Sequence, residues 1–285
     1  MRLLVGFDGS DGGHDALELA RAIAVEGDET SVLVVTVMPY GPLPADSEAL
    51  PADAAAEAEP LFAEARERLF GLNVEARGFG GGSPAKVMTE LAEGEGIDLI
   101  VVGSPHRGAV GRALIGSVAE NLLHGSPRPV VVAPRAYAGE RHERFLRIAV
   151  GHDGTPEADA ALRAAEALAL RSNALIDVLT VLAPPAATPG PVGYAPTDPP
   201  QPEKILNQAI HSLDDRLGAT GRRLDGSPAQ MLAGACEDAD LLVVGSRGYG
   251  PVLRVLLGSV STQLIHIAPC PVLVIPRPDD GERAG

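Results

Sequence analysis

Five short blocks occur twice in the chain, in the same order, and this duplication constrains the fold more than any other feature. The segment LLVGFDGS at 3–10 returns as IAVGHDGT at 148–155, and DLIVVGSPHRG at 98–108 returns as DLLVVGSRGYG at 240–250. Three further blocks, GSPAKVM, ALIGSV and RPVVVAP, return as GSPAQML, VLLGSV and CPVLVIP. The 285 residues therefore contain two copies of one domain. We predict domains at 1–138 and 146–280, joined through the charged stretch 136–145.

Within each copy, aliphatic runs alternate with helical patterns. In the first copy the runs predict strands at 2–7, 31–38, 72–79, 98–103 and 129–134. Strands that are aliphatic throughout and separated by helices indicate a parallel sheet covered on both faces, and right-handed crossovers make it doubly wound. The predicted fold class is α/β, with two tandem five-stranded parallel sheets. Ligands bind such sheets outside the carboxyl ends of the strands.

The helices are predicted from caps and apolar spacing. Ser10 or Asp11 begins a helix whose inward face carries Ala16, Leu17, Ala20, Ile23 and Ala24. Further helices are expected near 54–70, from Ser83-Pro84 with Val87, Met88 and Leu91 inward, and over 117–124. In the second copy we expect a short or ragged third strand within 217–225. The eight prolines of 183–202 predict a mobile insertion rather than a lid.

Composition excludes several classes of function. The net charge of −15 opposes binding to a nucleic-acid backbone, and no run of Lys or Arg offsets it. Two cysteines form neither a disulfide framework nor a metal-ligand spacing, and we expect buried thiols. No apolar stretch reaches the roughly 18 residues of a membrane span, and the first strand leaves no room for a signal peptide. We expect a soluble, cytoplasmic protein with no membrane or nucleic-acid partner.

Glycines after the fourth strand of the second copy suggest a phosphate site. Gly245, Gly248 and Gly258 have the spacing G-x2-G-x9-G, and Ser259 follows them. Glycine allows close backbone approach and positive φ, and a helix beginning near Gly258 would present amide groups and its dipole to an anion. The alternative is a glycine-rich turn that only lets helix and strand pack.

Known phosphate motifs are absent. No G-x4-G-K-[ST] occurs, and the first strand leads into GFDGSDGG rather than G-x-G-x-x-G, so neither a Walker-type NTPase nor a dinucleotide fold is indicated. Asp8 and Asp153 follow the first strands, where an aspartate accepts from ribose hydroxyls, caps the next helix, or does both.

With these motifs, nearly all of both halves resembles a tandem universal stress protein. That family's ATP-binding pattern is G-x2-G-x9-G-[ST], which the second copy matches in full. The resemblance also matches the family's strand-one aspartate to Asp8 and Asp153, and its adenine-side valine to Val37 and Val181. The nucleotide-binding residues that it implies are, in the second copy, Gly151, Asp153, Val181, Gly245, Arg247, Gly248, Gly258, Ser259, Val260 and Ser261. Those in the first copy are Gly6, Asp8, Val37, Gly103, Gly116, Ser117 and Val118.

The first copy departs from the pattern, because His106 stands where the second glycine belongs and Pro105 stiffens the same turn. Gly108 and Gly111 offer another register. We therefore expect nucleotide in the second copy rather than the first.

By resemblance, the function implied is that of an ATP-binding, nucleotide-dependent stress-response regulator or sensor, with Mg²⁺ accompanying the triphosphate and no metal ligand assigned. No catalytic residue is assigned, so any ATP hydrolysis should be slow. Two alternatives stay open: a nucleotide-free interaction scaffold, and an adenine-nucleotide-hydrolysing or adenylating enzyme.

The fifth strands, PVVVAP and PVLVIP, are expected at sheet edges, where Val-rich strands invite pairing. In this family, domains associate through that strand. The two copies are thus expected to pair internally, and whole chains to form a homodimer. Lysines at Val130 and Val132 should then loosen the two halves.

Overall fold

Strands and helices alternate through both halves of the computed structural model, which describes residues 1–24, 29–38, 52–104, 117–139, 144–183, 201–246 and 258–277. The first half contains β1 (Arg2–Gly6), α1 (Asp11–Ile23), β2 (Ser31–Met38), α2 (Ala52–Arg68), β3 (Asn73–Gly80), α3 (Pro84–Gly94), β4 (Leu99–Gly103), α4 (Ser117–Gly125) and β5 (Val130–Ala133). The second contains β6 (Arg147–Gly151), α5 (Pro156–Ser172), β7 (Leu175–Leu182), α6 (Pro202–His211), β8 (Thr220–Asp225), α7 (Pro228–Ala235), β9 (Leu241–Gly245), α8 (Ser259–Ile267) and β10 (Val272–Ile275). Short 3-10 turns lie at Tyr137–Gly139, Asp215–Leu217 and Cys236–Asp238.

The strands form one sheet in the order β3-β2-β1-β4-β5-β10-β9-β6-β7-β8. Within each half every neighbouring pair is parallel, which confirms the predicted α/β class. β5 and β10 are antiparallel, with Val132 opposite Val272 and Val130 opposite Val274. The two five-stranded sheets are therefore continuous, and the carboxyl ends of their parallel strands point in opposite directions.

Helices cover both faces of the sheet. One apolar cluster packs the sheet against α1, α2, α5 and α6, and the other packs it against α3, α4, α7 and α8. β4 and β9 are buried along nearly their whole length, as expected of parallel strands between two helical layers. None of the described helices has the length and apolar character needed to cross a bilayer.

β5 and β10 lie inside the sheet, and each is fully buried. Val130 and Val132 belong to the core shared with α4, while Val131 belongs to the opposite core. Lysines at Val130 and Val132, which we expect to loosen the two halves, would therefore also place charges in the first half's own core. They would destabilise that half as well.

Local predictions differ in how well they hold. All five residues named on the inward face of α1 are buried, and Ser10 caps that helix. On α3 only Met88 of the three named residues is fully buried, and its neighbours in the core are Ala85 and Ala92. β8 is a regular six-residue strand paired with β7, although most of its side chains are exposed.

The segment between the halves is held by Asp15 of α1. This carboxylate is 1% exposed and accepts the amide of Ala136 at 3.2 Å and that of Ala138 at 2.8 Å. Tyr137 and Phe145, on either side of the boundary, are buried in the same core. The junction is therefore packed against α1 where the structure describes it.

A repeated aspartate fixes the start of each half's first strand. Asp98, before β4, accepts the amide of Arg2 at 2.7 Å. Asp240, before β9, accepts the amides of Leu146 and Arg147, both at 2.8 Å. These bonds explain why an aspartate opens both copies of the DLxVVG block.

We predict that Asp240→Ala lowers the free energy of unfolding by about 1.5–3 kcal/mol, because two amides lose a charged acceptor. Asp238→Ala removes an exposed carboxylate two residues away and should change that free energy by less than about 0.5 kcal/mol. Urea unfolding of both variants is the measurement. Equal effects would show that the bonds to β6 contribute nothing.

Candidate functional site

The strand order of each half reverses between its first and fourth strands, and the predicted motifs lie at that point. β1 and β6 end at Gly6 and Gly151, and β4 and β9 end at Gly103 and Gly245. In a doubly wound sheet this is where a crevice opens, because the flanking connections leave in opposite directions. The glycines of one half therefore meet at one edge of the sheet.

The turn after the first strand is built alike in both halves. Asp153 Oδ1 accepts from the Thr155 hydroxyl at 2.6 Å, and Thr155 in turn caps α5 through the amide of Ala158. Asp8 and Ser10 make the same arrangement before α1, with distances of 2.5 and 3.1 Å. The aspartate thus orients the helix cap rather than capping the helix itself.

In the second half these elements enclose a cleft, which we call the second-half cleft. Seven of the predicted residues line it, namely Gly151, Asp153, Val181, Gly245, Gly258, Val260 and Ser261. They come from the ends of β6, β7 and β9, the turn before α5 and the first turn of α8. The structure therefore brings together motifs that are up to 110 residues apart (151 to 261) in the chain.

The second-half cleft is apolar on one side and polar on the other. Leu179, Leu232 and Val244 contribute aliphatic surface, whereas Asp153, Thr155 and Glu157 contribute oxygen atoms. α8 begins at the cleft with Gly258 as its N-cap, a residue without a side chain to satisfy the first amides. Amides at a helix start have no intrahelical acceptor and attract anions.

The glycines that end β4 and β9 have a packing role. A Cβ built on Gly245 would lie 2.6 Å from the carbonyl oxygen of Glu157 in the first turn of α5. On Gly103 it would collide with the carbonyl of Gly12 in α1. Close helix-on-strand packing by itself therefore requires glycine at these two positions.

With this geometry described, we compared the chain with known proteins. The family model described as "Universal stress protein family" matches residues 1–134 and 144–276. The chain belongs to the universal stress protein family. A universal stress protein of Mycobacterium tuberculosis is 29% identical over 301 residues, covering 97% of this chain and 100% of the relative. One of Mycolicibacterium smegmatis is 30% identical over 289 residues, covering 96% of each.

Solved structures of universal stress proteins share this fold. A universal stress protein from Archaeoglobus fulgidus covers 97% of this chain at 22% identity, with a TM-score of 0.71. A putative universal stress protein from Pseudomonas aeruginosa covers 96% at 17% identity, with a TM-score of 0.65. At these identities the similarity supports the fold and leaves the site to be argued from its own residues.

The two universal stress protein halves differ inside the site. At corresponding positions the first half has Phe7, Gly12 and Ala119 where the second-half cleft is lined by His152, Glu157 and Ser261. Glu157 is mostly buried, and its Oε1 lies 3.5 Å from Nε of Arg277, just after β10. The second half therefore has ionisable and hydroxyl groups where the first is apolar or lacks a side chain.

Some predicted residues lie elsewhere. Ser259 begins α8 but does not line the second-half cleft. In the first half, Gly6, Asp8, Val37, Gly103 and Val118 occupy the positions equivalent to the cleft-lining residues, and Ser117 begins α4. Gly116, Arg247 and Gly248 lie outside the described residues, as does His106.

Sequence reasoning missed several lining residues of the second half, namely His152, Thr155, Glu157, Ala158, Leu179, Pro228, Leu232 and Val244. Three of them adjoin Asp153 or Gly245 and could have been found by extending the motifs by one or two positions. Leu179 and Leu232 carry no local signal, because each is an ordinary aliphatic in a strand or helix.

Both cysteines are buried, as expected. Hydrogen bonding to Cys236 and burial raise the pKa of the Cys270 thiol, so that it stays protonated at neutral pH and is a poor nucleophile. Among the residues described, no three His, Cys, Asp or Glu side chains are grouped as a metal site. A separate open depression runs along α6, but a single helix lines it and we assign it no role.

We predict that Gly245→Ala destabilises the protein by about 1–3 kcal/mol, because the new methyl group must displace the backbone of α5. Gly234, exposed in α7, has no atom within 4 Å of the position that a methyl group would take. Gly234→Ala should therefore be neutral or stabilising by up to about 1 kcal/mol. Thermal unfolding compares the two. A harmless Gly245→Ala would contradict the packing role of this glycine.

Proposed function

We propose that this universal stress protein binds ATP in the second-half cleft and acts as a nucleotide-dependent regulator. The observation that carries the proposal is the joining, in one cleft, of an aliphatic side, a strand-end aspartate and a helix start. An adenine nucleotide carries three complementary groups in the same order, namely an apolar base, a ribose diol and an anionic phosphate chain.

Each part of the nucleotide has a suitable partner. Leu179, Val181 and Leu232 would contact the base, and a carboxylate such as Asp153 accepts hydrogen bonds from ribose hydroxyls. The first amides of α8, with Ser261 nearby, would hold phosphate through hydrogen bonds and the helix dipole. Mg²⁺ would accompany the triphosphate, and we assign it no protein ligand.

The proposal is of one nucleotide per chain. The first half lacks polar counterparts of His152, Glu157 and Ser261, and His106 replaces the second glycine of its motif. We also propose that the domain limits 1–138 and 146–280 separate a nucleotide-free half from a nucleotide-binding half.

A regulatory role is favoured over catalysis. Phosphoryl transfer depends on cations placed around the transferred group. The described residues that line the cleft include no lysine or arginine, and Arg247 lies outside the described residues. A bound nucleotide would then act as a signal or structural ligand, with slow hydrolysis at most.

A nucleotide-free scaffold is the second candidate, and the packing role of Gly103 and Gly245 favours it. Since these glycines are needed to seat α1 and α5, part of the motif would persist in a protein that binds no ligand. ATP binding by the full chain separates the two functions.

The test is calorimetric titration of the full chain with Mg·ATP. Gly258 has φ −66° and ψ 151°, angles that valine adopts without strain, so Gly258→Val should fold. Its side chain would obstruct the start of α8 and weaken ATP binding at least about tenfold. Gly116→Val, at the corresponding position of the first half, is the matched control and should leave affinity unchanged.

Absence of ATP binding by the unmodified chain would favour the scaffold. Equal affinity of the Gly258→Val variant and the unmodified chain would place the nucleotide elsewhere. Two nucleotides per chain would contradict the assignment to one half.

A further inference from the structure

Beside the turn that follows the first strand, the two halves carry different pairs of side chains at corresponding positions. In the first half Phe7 packs edge-on against His14 of α1, with ring centroids 5.4 Å apart. In the second half the corresponding residues are His152 and Asp159 of α5, and they are hydrogen-bonded, with Nε2 3.0 Å from Oδ1. The histidine therefore lies on α1 in the first half, where its Nε2 is 2.8 Å from Glu64 Oε1, and at the end of the first strand in the second half, where it contacts α5.

Both ring nitrogens of His152 have partners, and together these fix its protonation state. The amide of Gly154 donates to Nδ1 at 3.3 Å, so Nδ1 carries no proton. Nε2 then donates to Asp159. The side chain is 4% exposed, and the backbone is held by Leu179 and Thr180 of β7. The geometry therefore corresponds to a neutral imidazole with its proton on Nε2.

This imidazole supports the turn that presents Asp153. Gly154 has a φ of +81°. Among the described contacts, its amide is the only group of the turn that donates a hydrogen bond to the His152 ring. The next residue, Thr155, bonds to Asp153 and caps α5. His152 therefore connects β6, the Asp153 turn and α5, and it also lines the second-half cleft.

We propose that His152 is a positioning residue of the nucleotide site, and that its protonation weakens ATP binding. The inference rests on the proposed function of the second-half cleft. A proton on Nδ1 would face the amide proton of Gly154, so the turn would lose its bond to the ring and Asp153 would lose its fixed orientation. Histidine is the side chain that changes charge most readily between pH 5 and 8.

The charged group bonded to the ring is Asp159, whose carboxylate is half exposed and is therefore screened by water. Charged groups close to the ring in sequence or in space are Asp153 in the turn, Glu157 and Arg163 on α5, Arg277 beside Glu157, and Glu203 and Lys204 on α6 beside Ile205, which packs over Gly154. Further along the same elements are Arg147 on β6, Asp177 on β7, and Glu166 and Arg171 on α5. Leu179 and Val181 of β7, and the lining residues of α7 and β9, are uncharged.

The experiment measures ATP affinity of the full chain between about pH 8 and about pH 5.5, for the unmodified protein and His152→Phe. Phenylalanine is buried at the corresponding position of the first half, so the variant should fold. ATP itself also titrates in this pH range, and dividing by the affinity of His152→Phe at the same pH removes that contribution. The ATP affinity of the unmodified protein divided by that of His152→Phe should fall about tenfold from high to low pH, because the loss of one hydrogen bond has an effect of this size.

His266→Gln is the matched control, because His266 is exposed on α8, the helix whose first turn lines the cleft. This variant should keep the pH profile of the unmodified chain. Calorimetry at pH 6 in two buffers of different ionisation enthalpy supplies a second readout. ATP binding should release protons from the unmodified chain, and fewer from His152→Phe.

Parallel pH profiles for the unmodified chain and His152→Phe would overturn the inference while leaving the proposed function intact. An affinity ratio that rises as the pH falls would also overturn it. Failure of the unmodified chain to bind ATP at pH 8 would overturn both the proposed function and the inference that rests on it.

Discussion

The antiparallel ladder between β5 and β10 is the interaction on which the architecture depends. It converts two parallel sheets into one, and it buries strands that would otherwise be aliphatic edges open to aggregation. Because the strands of the two halves run in opposite directions, the Asp8 and Asp153 turns lie at opposite ends of the strands. With β5 and β10 paired inside the chain, β3 and β8 are the outermost strands of the described sheet.

Duplication has preserved the residues that build the scaffold and has changed some of those that face the site. Asp98 and Asp240 start the first strands in the same way, and Asp8 and Asp153 orient the same helix caps. By contrast, His152, Glu157 and Ser261 have no polar counterparts in the first half. Residues that hold the backbone are needed in both copies, because both copies have the same fold. Residues that contact a ligand are needed only in the copy that binds it.

Much of the fold could be predicted from the sequence because it is encoded locally. Aliphatic runs marked the strands, and the cap at Ser10 follows from hydrogen-bonding chemistry that acts over three residues. On α3, Val87 and Leu91 pack partly buried against the core beside Met88, as predicted, whereas the buried alanines Ala85 and Ala92 were missed because alanine carries a weak hydrophobic signal. The pairing of β5 with β10, about 140 residues later (132 to 272), was predicted from the Val-rich fifth strands and the family resemblance, because no local pattern specifies a partner that far along the chain.

The site was predictable in outline and not in detail. Motif spacing identified the strand ends and the start of α8, but the packing of Gly245 on Glu157 needed the position of α5. The aliphatic side of the cleft and the His152–Asp159 contact likewise arise from elements brought together by the sheet.

Hydrogen exchange of the full chain with and without Mg·ATP shows which half binds the nucleotide. We expect slower amide exchange in peptides covering 150–158, 178–183 and 258–264, where β6, β7 and α8 meet the second-half cleft, and unchanged exchange around 5–13 and 117–123. Protection centred on the first half, or none in the second at saturating nucleotide, would contradict the assignment of the nucleotide to the second half.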